Sequence, residues 1–246
     1  MPTVRIIGPG RAGRSFGNAL QAVGWGVAGY LGRDDDPHDA ARGVDLLLVA
    51  TPDAAIATVA SRVAPVGPEG AVVAHLSGSL GVDVLMPHAR RAAIHPLVAL
   101  PNPEVGAQRL GSGAWFAVEG DPIVQEVVEQ LGGRWFEIAG AHRAHYHAAA
   151  CIASNHLVAL LGQVERIAQR AGIPWDGYLD LVRATVENVA RLGPAGALTG
   201  PAARGDWATI ERHRKALDEM DPNEREVYDA LVRAVRRLAE GAWPPT

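Results

Sequence analysis

The chain has 246 residues, 48% hydrophobic and 20% charged, with a formal net charge of −4: enough apolar material for a packed core, and no basic surplus to point to nucleic acid. One cysteine, Cys151, excludes an internal disulfide and a four-cysteine zinc site and fits a reducing cytoplasm. Apolar runs such as Leu46 to Ala50 fall far short of the ~20 residues that span a bilayer, and the stretch before the first strand-like run, Met1 to Thr3, leaves no room for a signal peptide.

Val4, Ile6 and Ile7 predict a first strand, ended by Gly8-Pro9-Gly10-Arg11-Ala12-Gly13. Phe16, Ala19, Leu20 and Val23 then share one helical face. Val27 to Leu31 predicts a second strand and Asp45 to Ala50 a third, whose unbroken apolar run suits burial on both faces of a parallel sheet. Thr51-Pro52-Asp53 opens a helix, with Thr51 as cap, Pro52 at the first helical position and Asp53 at the positive end. Further strands are predicted at Gly70 to Leu76, Ala92 to His95, Trp115 to Val118 and Arg134 to Ile138, the last two bracketing a helix over Pro122 to Leu131. Alternation with short connections predicts an α/β, doubly wound Rossmann-type sheet over 1–140.

The character changes near Gly140. From His142 to Ala171 only Gly162 interrupts an alanine- and leucine-rich helical pattern, which predicts one helix of up to 30 residues. Gly172-Ile173-Pro174 ends it, and helices follow over Asp176 to Leu192, Trp207 to Glu219 and Asn223 to Gly241, with a glycine-rich loop from Gly193 to Asp206. Residues 141–246 therefore read as a smaller all-α domain, with a frayed tail at Pro244-Pro245.

The pattern Gly8-x-Gly10-x-x-Gly13 stands between a strand and a helix, where it carries most weight. Gly8 permits the tight turn, Gly10 lets a pyrophosphate approach the backbone, and Gly13 lets the helix pack on the strand; the amides of Arg11, Ala12 and Gly13 then face the anion. At the end of the second strand Arg33 suits the 2′-phosphate of NADP, whereas an inward Asp34 would favour NAD. Thr51, Pro52 and Asp53 close the third strand beside the expected nicotinamide half, and can cap and line the crevice together.

Two histidines, His75 and His95, end neighbouring strands on the ligand side. A reductase needs an acid as its substrate takes up hydride, and His95, held by Pro96, is the first choice; a histidine satisfied by a backbone carbonyl is the alternative. Ser77 can bond a substrate oxygen or cap a turn. His147, Cys151, Ser154 and Asn155 fall in one sector of the long helix, a polar stripe for substrate or for a domain or dimer contact. His142, His145 and His147 lack the nearby carboxylates of a metal site, so no metal is expected. Arg204 can clamp a substrate carboxylate, and Asp206 can cap the next helix. Lys215 is the sole lysine, so a lysine-based mechanism has a single candidate.

Together these marks resemble a bacterial family that joins a Rossmann-like domain to a domain of unknown function, DUF2520. They are the glycine turn, Ser77-Gly78, Ile94-His95-Pro96, Phe116 to Asp121, Tyr146-His147-x-Ala149, Ala153-Ser154-Asn155, Leu198-Thr199-Gly200-Pro201 and Arg204-Gly205-Asp206. The wider class is similar to pyrroline-5-carboxylate reductase, ketopantoate reductase, 3-hydroxyisobutyrate dehydrogenase and 6-phosphogluconate dehydrogenase. The resemblance implies NAD(P)-linked chemistry on a small acid and a homodimer built through the helical domain. The His95-Pro96 turn resembles the catalytic turn of prephenate dehydrogenase, with Ser77 one strand earlier. Several relatives pair a lysine with an asparagine on the long helix; here Asn155 is present without the lysine, which moves the acid role to His95 or His147. The expectation is an NADP-dependent oxidoreductase with catalytic His95, Ser77, His147 and Asn155, and with Gly78, Ser154 and Arg204 at the substrate, a 2-oxo acid such as ketopantoate. A nucleotide-binding sensor without turnover is the alternative.

Overall fold

The structure, a computed structural model, describes residues 1–241; the tail expected at Pro244-Pro245 lies outside them. Its strands are β1 (Thr3–Ile7), β2 (Gly26–Leu31), β3 (Leu46–Val49), β4 (Val72–His75), β5 (Arg91–Pro96), β6 (Trp115–Gly120) and β7 (Arg134–Glu137). They form one sheet in the order β2-β1-β3-β4-β5-β6-β7. Neighbours from β2 to β5 are parallel, β6 runs antiparallel to β5, and β7 is parallel to β6. Helices α1 (Arg11–Ala22), α2 (Asp53–Arg62), α3 (Pro103–Leu110) and α4 (Ile123–Gln130) link β1 to β2, β3 to β4, β5 to β6 and β6 to β7.

Side-chain alternation divides the sheet into two buried faces. Ile6, Leu48, Ala74, Ile94 and Val118 meet Phe16 and Leu20 of α1, Leu110 of α3 and Val127 of α4 on one face. Ile7, Leu47, Val49 and Val73 meet Ile56 and Ala60 of α2 and Leu85 on the other. β3 and β4 are buried along their whole length, as their unbroken apolar runs require.

Cross-strand partners point to the same face, so the second face continues through the pairs Ala93–Glu119, His95–Ala117 and Ala117–Phe136. There α5 (Arg143–Cys151) takes the place of α2. Arg143 Nε donates to Glu119 at 2.6 Å, and the Tyr146 ring meets Phe136 edge-on at 5.8 Å. Small residues, Ala93 and Ala117, leave room for the helix. By packing, the chain accordingly divides into Met1–His156 and a second unit from Leu157 onward, whereas the compositional change lies at Gly140.

The alanine-rich spacing predicts one helix from His142 to Ala171; the chain instead forms α5, a π-helical turn at Ile152–His156 and α6 (Leu157–Ala171). Ser154 Oγ donates to the Ala150 carbonyl at 2.7 Å within this widened turn, a competition with the helical ladder that periodicity does not reveal. The second unit continues with α7 (Trp175–Gly196), α8 (Pro201–Arg204), α9 (Trp207–Asp218) and α10 (Pro222–Ala239). The loop predicted from Gly193 is partly helical: α7 continues to Gly196 across a kink at Gly193 (φ 70°), and α8 forms after Gly200. Asp206 caps α9 by accepting from Thr209 N at 3.1 Å. Ala202, Ile210 and Val232 form the small core of this unit, and buried Glu224 holds Gln163 and Arg166. Among the described residues no helix is long and apolar enough to cross a membrane, and no cluster of His, Cys, Asp or Glu is placed to hold a metal ion.

Candidate functional site

At the carboxyl end of β1, Gly8 adopts φ 100°, and a Cβ there would stand 2.7 Å from the Ala50 carbonyl oxygen. A Cβ on Gly13 would collide with the Gly8 carbonyl, so this glycine sets the close contact between α1 and β1. Gly10 differs: no heavy atom lies within 4 Å of the place its Cβ would occupy. It is the N-cap of α1 and carries no side-chain cap, and no acidic residue stands in the first turn. The amides of Arg11, Ala12 and Gly13 thus open on free space with the positive end of the helix behind them. Next to Gly8, at the end of β3, Thr51 has a buried hydroxyl with no partner. Thr51 is not the cap its position suggests: Pro52 is the N-cap residue and α2 begins at Asp53. An open cradle of amides beside an orphaned hydroxyl fits the diphosphate of a dinucleotide. At the end of β2, Arg33 and Asp34 are both exposed, and Asp35 turns back to accept from Gly32 N at 2.7 Å.

The end of β4 is tied down by polar side chains. Asp53 accepts from Ser77 Oγ and Ser79 Oγ, both at 2.7 Å. Ser77 Oγ in turn accepts from Ser79 N and Leu80 N, each at 3.1 Å. His75 Nδ1 accepts from Ser77 N at 3.1 Å, so its proton sits on Nε2 and donates to the Gly81 carbonyl at 3.2 Å. Burial favours this neutral ring and lowers its pKa. Arg143, fully buried, pairs with Glu119 and reaches the Ser77 carbonyl at 3.4 Å, while its Nη2 has no partner.

The end of β5 carries a different arrangement. His95 Nδ1 lies 2.6 Å from the Tyr146 hydroxyl, with the rings edge-on at 5.4 Å. His95 and His147 rings are also edge-on, at 5.6 Å, and His147 Nε2 lies 3.5 Å from Cys151 Sγ. The two free nitrogens converge on Gly78: a Cβ there would stand 2.9 Å from His95 Nε2 and would collide with His147 Nδ1, which is buried without a partner. Burial lowers the His95 pKa to about 4, helped by His147, Arg143 and His75 and opposed by Asp53. Burial raises Tyr146 to about 12, against the pull of Arg143.

A Rossmann-like domain model matches residues 33–101, and the model for DUF2520, a domain of unknown function, matches residues 114–235. The chain joins a Rossmann-like domain to a DUF2520 domain. No curated protein matches the chain. Solved structures do. A Thermotoga maritima protein is 27% identical over 97% of this chain and 99% of its own, with a TM-score of 0.72. A Bacteroides fragilis protein, provisionally described as an NADP oxidoreductase, is 20% identical over 96% and 98%, at 0.79. The pyrroline carboxylate reductase of Plasmodium falciparum, solved with NADP bound, is 12% identical over 97% and 98%, at 0.62.

The histidine of the Rossmann-like match, His95, meets Tyr146 and His147 of the DUF2520 match. Ser77 and Asp53 gather at the same strand ends, each already engaged in holding the turn that presents Gly78. Ser154 and Asn155 lie in the π-helical turn and bond to each other at 3.2 Å, so the α-helical sector expected for them with His147 is broken. Arg204 is exposed on α8 of the second unit. Sequence alone gives no role to Tyr146, Arg143 or Glu119. Tyr146-His147 is visible as a motif, but its contact with His95 spans 51 positions.

Proposed function

We propose that this protein is an NADP-dependent oxidoreductase acting on a small carboxylate-bearing carbonyl, imine or hydroxyl compound, with 2-oxo acids as the first substrates to test. The observation that carries the reading is the open amide cradle at Gly10 beside the partnerless Thr51 hydroxyl. The NADP bound by a similar fold supports the choice of nucleotide, and Arg33 is the residue to hold its 2′-phosphate.

When bound, the nicotinamide supplies hydride-transfer chemistry. The chain's own residues do the rest. His95 Nε2, packed against Gly78 beside the buried His147 Nδ1, is the ring nitrogen left without a hydrogen-bond partner and is the atom to meet the reacting oxygen or nitrogen of the substrate. Asp53, Ser77 and Ser79 fix the turn that carries Gly78 through their mutual hydrogen bonds. Asn155, Ser154 and Arg204 are the residues to test for contact with the rest of the substrate.

Gly10→Ala tests the nucleotide half. The new methyl meets no protein atom and the backbone φ of −76° is unstrained, so the melting temperature stays unchanged while NADPH affinity falls at least about 10-fold. Unchanged NADPH affinity, or no NADPH binding to the wild type, overturns the reading. NADPH oxidation screened over 2-oxo acids and cyclic imines tests turnover; tight nucleotide binding without turnover of any of them favours a sensor. That rival draws its support from the low pKa of His95, which leaves no imidazolium acid at neutral pH.

The helical unit is further proposed to pair with a second copy. α7 buries none of its residues, and Leu181, Val186, Val189 and Leu192 stand exposed along it. Sedimentation at micromolar concentration checks this, and a monomer refutes it.

A further inference from the structure

We propose that Tyr146 is a positioning residue for His95: its hydroxyl donates to Nδ1, fixes the ring as the Nε2–H tautomer, and replaces the proton that Nε2 delivers to the substrate. What receives the proton rests on the reductase reading above; the tautomer does not.

The geometry supplies the first support. The Tyr146 oxygen is 2.6 Å from Nδ1, within the range of a strong O–H···N bond. A phenol is a better donor than a neutral imidazole N–H, and an imidazole nitrogen is a better acceptor than a phenol oxygen, so the proton of this bond belongs to the oxygen. The single ring proton of neutral His95 then lies on Nε2, the nitrogen that faces Gly78. Tyr146 is held for this by its edge-on contact with Phe136 and by the α5 segment that Arg143 anchors to Glu119.

The second support is chemical balance. His95 is neutral at neutral pH, so it has no second proton to give. A neutral ring acting alone as an acid would end as an imidazolate. With Tyr146 on Nδ1 the transfer closes. The Nε2–H bond breaks as the substrate O–H or N–H bond forms, and the Tyr146 O–H bond breaks as Nδ1–H forms. The electron pair remains on the phenolate, which regains a proton from solvent. The reductant that generates the basic oxygen is the nicotinamide dinucleotide of the reading above. Tyr146, at about 12, is still more acidic than an alcohol comparable to water at about 16, so the relay runs downhill. The neighbouring Arg143 guanidinium favours the phenolate while it lasts.

The test uses protein labelled with [15N]histidine and long-range 1H–15N spectra, with His95 assigned by its loss in His95→Gln. The wild type is expected to show His95 as the Nε2–H tautomer at neutral pH, and Tyr146→Phe, which keeps the ring against Phe136, a mixture of tautomers. An Nδ1–H tautomer in the wild type overturns the proposal, as does an Nε2–H tautomer that survives in Tyr146→Phe. In the NADPH assay Tyr146→Phe is expected to lower kcat about 100-fold with KM and NADPH affinity unchanged, and full activity in this variant overturns the relay. Failure of the wild type to bind NADPH would sink the reductase reading and leave the tautomer result standing.

Discussion

His75 and His95 end adjacent parallel strands on the same face of one sheet, and they do opposite things. His75 spends both ring nitrogens on the backbone, one on Ser77 N and one on the Gly81 carbonyl, with no surface exposed. His95 spends one nitrogen on a side chain, Tyr146, and leaves the other, packed against Gly78, without a hydrogen-bond partner. A histidine whose valences are closed by the main chain is a bracket; one whose proton is supplied by another titratable group can exchange it. Residue type and strand position are shared, so the partners decide the role.

The contrast breaks most visibly in turnover. His95→Ala is expected to lower NADPH-dependent turnover by about 10²–10⁴-fold while the protein stays folded, which paired kinetics and circular dichroism would read. His75→Ala should instead cost about 2–4 kcal/mol of stability in urea unfolding, because it opens a buried cavity and orphans Ser77 N and the Gly81 carbonyl. A stable His75→Ala or an unfolded His95→Ala would reverse the assignment.

Acid titration sharpens the same comparison. Both rings have pKa values below the unfolded value of 6.5, so the unfolded chain binds more protons between that value and the folded one. Stability is therefore complete above about pH 6.5 and is lost as the pH falls toward 4, His95 accounting for at most about 3 kcal/mol. His95→Gln should flatten part of the urea-midpoint profile in that window; an unchanged slope would mean that His95 is not held neutral. The smallest effect is expected from Gly78→Ala. Its methyl presses on both rings, costs about 1–3 kcal/mol, and should shift the His95 and His147 ring resonances while His75 stays in place.

Much of the first unit is legible in the sequence because its signals are local. Gly8, Gly10 and Gly13 announce a turn whose three positions have three separate steric reasons, and the apolar runs of β3 and β4 announce burial on both faces. Helix α3 is a local signal not taken up: Asn102 caps it, accepting from Val105 N at 2.8 Å, and Pro103 follows at its start. The reversal of β6 has no such mark, since direction depends on where the chain returns. Tyr146 is illegible for the same reason. Its role arises when α5 folds back over Ala93 and Ala117, and no periodicity within 143–151 encodes which strand end it will meet.

The fold-back of α5 also bears on how the two domain matches are joined. The DUF2520 match begins at Ala114, so β6, β7 and α5 belong to it by sequence while completing the sheet of the Rossmann-like half. Tyr146 and the ring it bonds therefore lie in different domain-model matches. A chimera spliced at residue 113 would take His95 from one parent and Tyr146 from the other, so only parents that place both residues alike would restore the hydrogen bond across the graft.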